Sequence, residues 1–194
     1  MDRTLFKNKE DVIEGITIDF VPVTVEDAEN IFKMRNAYRN MYFFNQQREL
    51  NINDQREWLE SYEKRNNDIY WAIYDKNKVF IGTIRLYNIN FEDGTCEQGS
   101  FMIDEAHAKE GPYAIEAELL SLDFAFETLK LRKIINCDRH DNKKMNSLTK
   151  KIGFKFIDIV SINGIDFNRY YLSYENYLNK RYKLVQVLDY WKER

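Results

Sequence analysis

The 194 residues include only two cysteines, two histidines, two prolines and seven glycines. So few thiols and imidazoles exclude a disulfide scaffold and a Cys/His zinc cluster, and no metal is expected. Cys96 and Cys137, each inside an apolar run, read as reduced core thiols. Sparse glycine and proline exclude collagen-like and low-complexity chains. No stretch of about 18 apolar residues is present to span a bilayer, and the opening MDRTLFKNKEDV lacks the apolar centre of a signal peptide. A soluble, cytoplasmic protein without a membrane partner is expected. Charge of one sign is missing too. Basic residues number 29 and acidic ones 32, mixed along the chain, which leaves net −3 and no positive field to hold nucleic acid.

What is present is the material of a core. Hydrophobic residues make up 44% and aromatic ones 15%, with 13 Tyr and 13 Phe. A chain of this length buries about 70% of the surface its unfolded form exposes, enough for one domain. Residues 16–23 alternate like a strand, and Thr24 then precedes a helical run in which Ile31, Met34 and Tyr38 recur. Asn53 or Asp54 caps a second helix, with Trp58, Leu59 and Tyr62 on one face. Residues 69–75 and 78–90 form a hairpin around Lys76, and 95–104 add a strand. The loop AHAKEGP and a long helix, YAIEAELLSLDFAFETLKL, follow. Residues 133–138 read as a buried parallel strand and 142–152 as a helix stopped by Gly153. A hairpin around Asn163-Gly164 and a closing helix at 175–192, apolar along Tyr182, Val185, Leu188 and Tyr190, complete the chain. The pattern gives an α/β (α+β mixed) fold with one mixed sheet. A strand that runs through a loop into a helix also presents a helix N-terminus to an anion.

Three segments carry a resemblance: EQGSFMID; KEGPYAIEAELLSLDFAFETLKLRKI; and NKKMNSLTKKIGF from Asn142. In order and spacing they resemble the GNAT acetyltransferases over residues 16–174. The opening Met34-Arg35-Asn36, with Arg39 and Trp58-Leu59, is similar to the branch of ribosomal-protein N-terminal acetyltransferases and acyltransferases of nucleotide-linked amino sugars. The resemblance implies a twisted sheet of about six to seven strands flanked by helices, in a domain over 1–174 with a helical extension, 175–194, packed on it. It also implies acetyl-CoA or another acyl-CoA as cofactor. The family's R/Q-x-x-G-x-G/A fingerprint falls on Lys109, Glu110, Gly111, Pro112, Tyr113 and Ala114, whose amides would cradle the pyrophosphate. Main-chain groups of Phe101, Met102 and Ile103 would hold the thioester, and Asn142 opens the second motif. Two positions depart from the pattern. A fingerprint glycine falls on Pro112, which has no N–H to donate, and the tyrosine that protonates the leaving thiolate in many relatives falls on Thr149.

Acyl transfer from thioester to amine needs a base, an oxyanion donor and an acid, and no metal. Glu97, a carboxylate on the central strand, is the candidate base, beside the reading of a solvent-facing strand residue. Ser147 and Thr149 lie two apart on a helix, so only one can face the cofactor. His140 and His107 read as surface or loop-stabilising residues. The resemblance places Arg35, Arg39 and Arg48 on the acceptor side, where guanidinium forks suit a diphosphate or carboxylate. Tyr170, Tyr171, Tyr174 and Tyr177 read as core or as a platform for a base or sugar. The expected activity is transfer of an acetyl or other short acyl group to a primary amine. A nucleotide-linked amino sugar stands ahead of a protein N-terminus as acceptor, and a homodimer is left open. A weakly catalytic acyl-CoA-binding module is the rival that Pro112 and Thr149 favour.

Overall fold

The computed structural model describes residues 6–44 and 46–192. Apolar residues, continuous in β3, build β1 (Ile13–Glu14), β2 (Ile18–Pro22), β3 (Ile69–Asp75), β4 (Phe80–Asn90) and β5 (Thr95–Ile103), each antiparallel to the next. β6 (Lys133–Arg139) is parallel to β5, and β8 (Ile165–Ser173) separates it from β7 (Lys155–Ile162). The sheet therefore runs β1-β2-β3-β4-β5-β6-β8-β7. Eight strands stand where six to seven were expected, because the chain before β2 adds the two-residue β1.

Helices cover both faces. α4 (Tyr113–Asp123) is the crossover between the parallel strands, and α6 (Tyr174–Lys192) packs beside it. Under them Trp71 lies between Phe20 and Phe124, with ring centroids 5.4 and 5.0 Å away. Neighbouring residues on β3 point the other way, so Tyr70 and Ala72 join Ile31, Leu59 and Tyr62 in a second cluster. This cluster holds α1 (Ala28–Arg35) and α3 (Ile52–Glu63). α5 (Lys143–Ile152) ends where Gly153 takes φ +115°, the left-handed stop that its sequence signalled.

Several boundaries differ from expectation. The first helical run breaks at Asn36-Ala37 into α1 and α2 (Tyr38–Phe43), because the Asn36 carboxamide is held by Gln46 and by the Leu50 main chain. Asn51, not Asn53 or Asp54, caps α3, its Oδ1 accepting the Asn53 amide at 2.8 Å. β4 begins at Phe80 because Asp75 Oδ1 accepts the amides of Asn77 and Val79 and closes the turn. After Asp123 the long helix widens to a π turn over Phe124–Thr128, with Leu129 N–H bonded to Phe124 O at 3.0 Å. The buried side of α6 is Tyr177, Leu184 and Leu188, whereas Tyr182 and Tyr190 are each 55% exposed. Arg181 fixes that rotation, donating from Nε and Nη2 to Asp123 at 2.8 and 2.7 Å.

Candidate active site

The site begins with a bulge. Arg85 pairs with Gly99 and Thr83 with Met102, so Ile84 alone faces Ser100 and Phe101. Ser100 takes φ +49°, and Thr83 Oγ1 donates to its carbonyl at 2.7 Å. The bent β5 leaves its parallel neighbour: the last pair is Gln98 with Asn136. Beyond it the strands part around a 460 Å³ cleft, lined by β5 from Gln98 to Ile103 and by Asn136, Cys137 and Asp138 of β6. A main-chain edge without a strand partner can accept an amide-bearing ligand as a further strand would. Phe101, Met102 and Ile103 lie on that edge.

The cleft is closed on one side by α4 and α5. Ala114, in the first turn of α4, lines it, and so do Asn142, Lys144 and Leu148. Lys109 and Glu110 are exposed in the preceding loop, and Pro112 is buried as the residue capping α4. Its carbonyl accepts the amides of Ile115 and Glu116, so those of Tyr113 and Ala114 precede the helical ladder and face outward. Gly111 is tight for another reason: an added Cβ would stand 2.8 Å from the Tyr113 ring. The Asn142 Oδ1 caps α5, accepting from Met145 N–H at 3.2 Å. His107 Nδ1 lies 2.8 Å from Asp104 Oδ2 and staples the loop, and His140 Nδ1 lies 2.8 Å from Asn168 Oδ1. The unpaired strand edge, the amides at the start of α4 and Lys144 together suit the amide-containing arm and phosphates of an acyl-CoA.

At the apex of the cleft stands a polar cluster of which the sequence singled out Thr149 but not Glu118 or Asp138. Glu118 of α4, 1% exposed, accepts from Gln98 Nε2 at 3.1 Å. Asp138 accepts from Asn136 Nδ2 at 3.1 Å and from Thr149 Oγ1 at 2.6 Å. Burial, with the Asp138 charge adding to it, pushes the Glu118 carboxyl up to about 8. Thr149 is buried and gives its one hydroxyl proton to Asp138. Ser147, the alternative on the same helix, is exposed and lines no part of the cleft. Glu97 sits on the opposite face of β5, its Oε1 accepting from Asn88 Nδ2 at 2.8 Å. Between Glu97 and the cleft lies Tyr87, whose ring covers Gly99; burial and the Glu97 charge raise its phenol above the usual range. Cys96 is buried and Cys137 half-buried; burial pushes the Cys96 thiol up to about 12 and raises that of Cys137.

A second cavity, 650 Å³, lies on the α3 side, lined by Arg35, Arg48, Arg85, Asp54, Glu57, Trp58, Tyr70 and Ser100 among others. The bulge residue Ser100 lines both spaces. Arg85 is paired with Asp68, and Arg48 lies 3.6 Å from Asp54. Arg35 makes no ion pair among the described residues, and burial lowers its basicity. Arg39 parts from the other two, lying in the first cleft 3.5 Å from Glu105. Tyr170 and Tyr177 are wholly buried, so core is the reading that holds for them.

The acetyltransferase (GNAT) domain family matches residues 18–155. Among curated proteins none matches at a significant level. A GCN5-related N-acetyltransferase from Brucella melitensis has the same fold, with TM-score 0.77 and 18% identity over 94% of this chain and 87% of its own. FdhC, an apo nucleotide-linked sugar GNAT, gives TM-score 0.78 and 23% identity over 91% and 98%. The spermidine N-acetyltransferase from Vibrio cholerae, solved with CoA and spermine, gives 0.77 and 23% over 85% and 100%.

Proposed function

The chain belongs to the acetyltransferase (GNAT) family and is an N-acetyltransferase, and we propose that its acceptor is the primary amine of a nucleotide-linked amino sugar. The observation that carries this reading is the cavity holding Arg35, a guanidinium without a carboxylate partner among the described residues. A cation taken partly out of water without a counter-charge is costly unless a ligand supplies one. Polyamines bring more positive charge, whereas a nucleoside diphosphate brings oxygens that match the fork. Trp58 and Tyr70 in the same cavity offer aromatic faces for a base or sugar ring.

In this reading acyl-CoA lies in the cleft between β5 and β6 and supplies an activated acyl group as a thioester. The free edge of β5 orients it, and the outward amides of Tyr113 and Ala114 with Lys144 hold its phosphates. The amine enters from the Arg35 cavity past Ser100, and its proton leaves toward Glu97 or solvent. No covalent acyl-enzyme is needed, since both thiols are pushed away from the thiolate form. The test is thiol release from acetyl-CoA with three acceptors: UDP-glucosamine, spermidine and a peptide with a free N-terminus. UDP-glucosamine is expected to give the highest kcat/KM. Preference for spermidine would refute the anionic acceptor, and preference for the peptide would favour the N-terminal acetyltransferase reading.

A further inference from the structure

Thioester aminolysis ends with a thiolate that must be protonated. Thr149 stands where many relatives carry a phenol for this step, and its hydroxyl proton is already donated to Asp138 Oδ2. Another group at the apex has to be sought, and among the described residues two carboxyls line the cleft there, Glu118 and Asp138. Their surroundings divide the roles. Asp138 has both oxygens held by donors, one from Asn136 and one from Thr149, an arrangement that suits a carboxylate. Glu118 has a neutral amide on Oε2 alone, and Oε1 accepts from no described residue. Burial raises both carboxyls, and the one with a free oxygen at a cleft wall, beside a neighbour whose two oxygens already accept hydrogen bonds, is the one of the pair that retains a proton.

Resting on the acyl-transfer reading above, we propose that Glu118 is the proton donor to the departing CoA thiolate, with Asp138 and Thr149 as positioning residues behind it. The amine nitrogen bonds to the thioester carbon and the C–S bond breaks, its electron pair going to sulfur. Sulfur takes the Glu118 proton, leaving a carboxylate that regains a proton from solvent as CoA leaves. The amine's own proton leaves on the other face of β5. The titration of Glu118 near pH 8 lies beside that of an ordinary thiol, about 8.5, so the transfer is close to thermoneutral. The other titratable or charged groups lining the cleft are Cys137 of β6, Tyr87 of β4, Lys144 of α5 and Arg39 of α2.

The experiment measures kcat against pH for wild type, Glu118→Gln and Asp138→Asn, with acetyl-CoA and UDP-glucosamine, or spermidine if that is the amine turned over. Calorimetric titration of acetyl-CoA accompanies each. Wild-type kcat should fall above about pH 8, the point at which Glu118 loses its proton. Glu118→Gln should lose about 100-fold in kcat, the low end for general acid catalysis, together with this alkaline limb, while acetyl-CoA affinity changes less than about twofold. Asp138→Asn removes the charge that holds the proton, so its alkaline limb should move to lower pH. That arm decides the matter even if Glu118→Gln fails to fold. Full kcat in a folded Glu118→Gln, or an unmoved limb in Asp138→Asn, would overturn the proposal and leave acyl transfer standing. Absence of acetyl-CoA binding by wild type would overturn both.

Discussion

Arg35→Gln is the substitution that most directly separates an anionic acceptor from a cationic one. Arg35 ends α1 and lines the 650 Å³ cavity, its guanidinium 5.5 Å from the Phe44 ring centroid. If a phosphate of the acceptor completes its bonding, losing that charge-assisted bond costs about 1.5–3 kcal/mol. That corresponds to about 10- to 150-fold in affinity. The loss should fall on KM for UDP-glucosamine with little change in kcat, because the diphosphate binds equally in ground and transition states. Arg35→Lys should recover only part, since an ammonium keeps the charge and loses the fork. KM for a small neutral amine should not move. The folded protein loses no ion pair to a described residue, so the melting temperature of Arg35→Gln should remain near that of wild type. Equal KM shifts for charged and neutral acceptors would refute the reasoning. So would a melting temperature lowered by many degrees, which would make the guanidinium part of the scaffold.

Replacing both Cys96 and Cys137 with Ala should leave most of the turnover intact, whereas an acyl-cysteine trapped from wild type by mass spectrometry would contradict direct transfer. Gly111→Val should weaken acetyl-CoA binding in calorimetry, because its Cβ meets the Tyr113 ring at 2.8 Å and must push that ring or the loop aside; unchanged affinity would show that the loop does not hold the cofactor. Glu118 also gives a stability prediction. Its pKa rises from an unfolded value of about 4.3 to about 8 in the fold, so between these the native state binds the extra proton and stability declines as pH rises. Melting temperature should therefore fall more steeply from pH 5 to 8 in wild type than in Glu118→Gln, and parallel curves would contradict the burial of a neutral carboxyl.

The strands were legible because each buried face writes a period of two into the sequence, and Asn163-Gly164 turns with both φ positive, +52° and +75°, as its residues imply. The cleft itself was not written there. It depends on Ser100 adopting φ +49°, a conformation that no glycine marks, and on Thr83 holding the bulge from the neighbouring strand. Position on a helix was legible for Thr149, but its engagement with Asp138 required two elements to meet. Of the three arginines grouped in sequence, Arg35 and Arg48 share a cavity, but the break at Asn36-Ala37 turns α2 away and carries Arg39 into the other cleft.

α4 shows why periodicity alone stopped short of the apex. Residues Glu116 to Leu119, Ser121 and Leu122 are all buried, so the helix has no solvent face against which to read two acids in an apolar run. Such acids require partners, and the fold supplies them unequally. The Glu116 carboxylate accepts from the amides of Ile16 and Thr17 and from the Thr17 hydroxyl, which ties the start of β2 to the helix. All of its reach is spent on the fold. Glu118, two residues on, turns toward β5 instead and meets a single neutral amide from Gln98, leaving one oxygen at the cleft wall. An acid buried with three donors is a clamp, and an acid buried with one, where two strands part, has a proton to give.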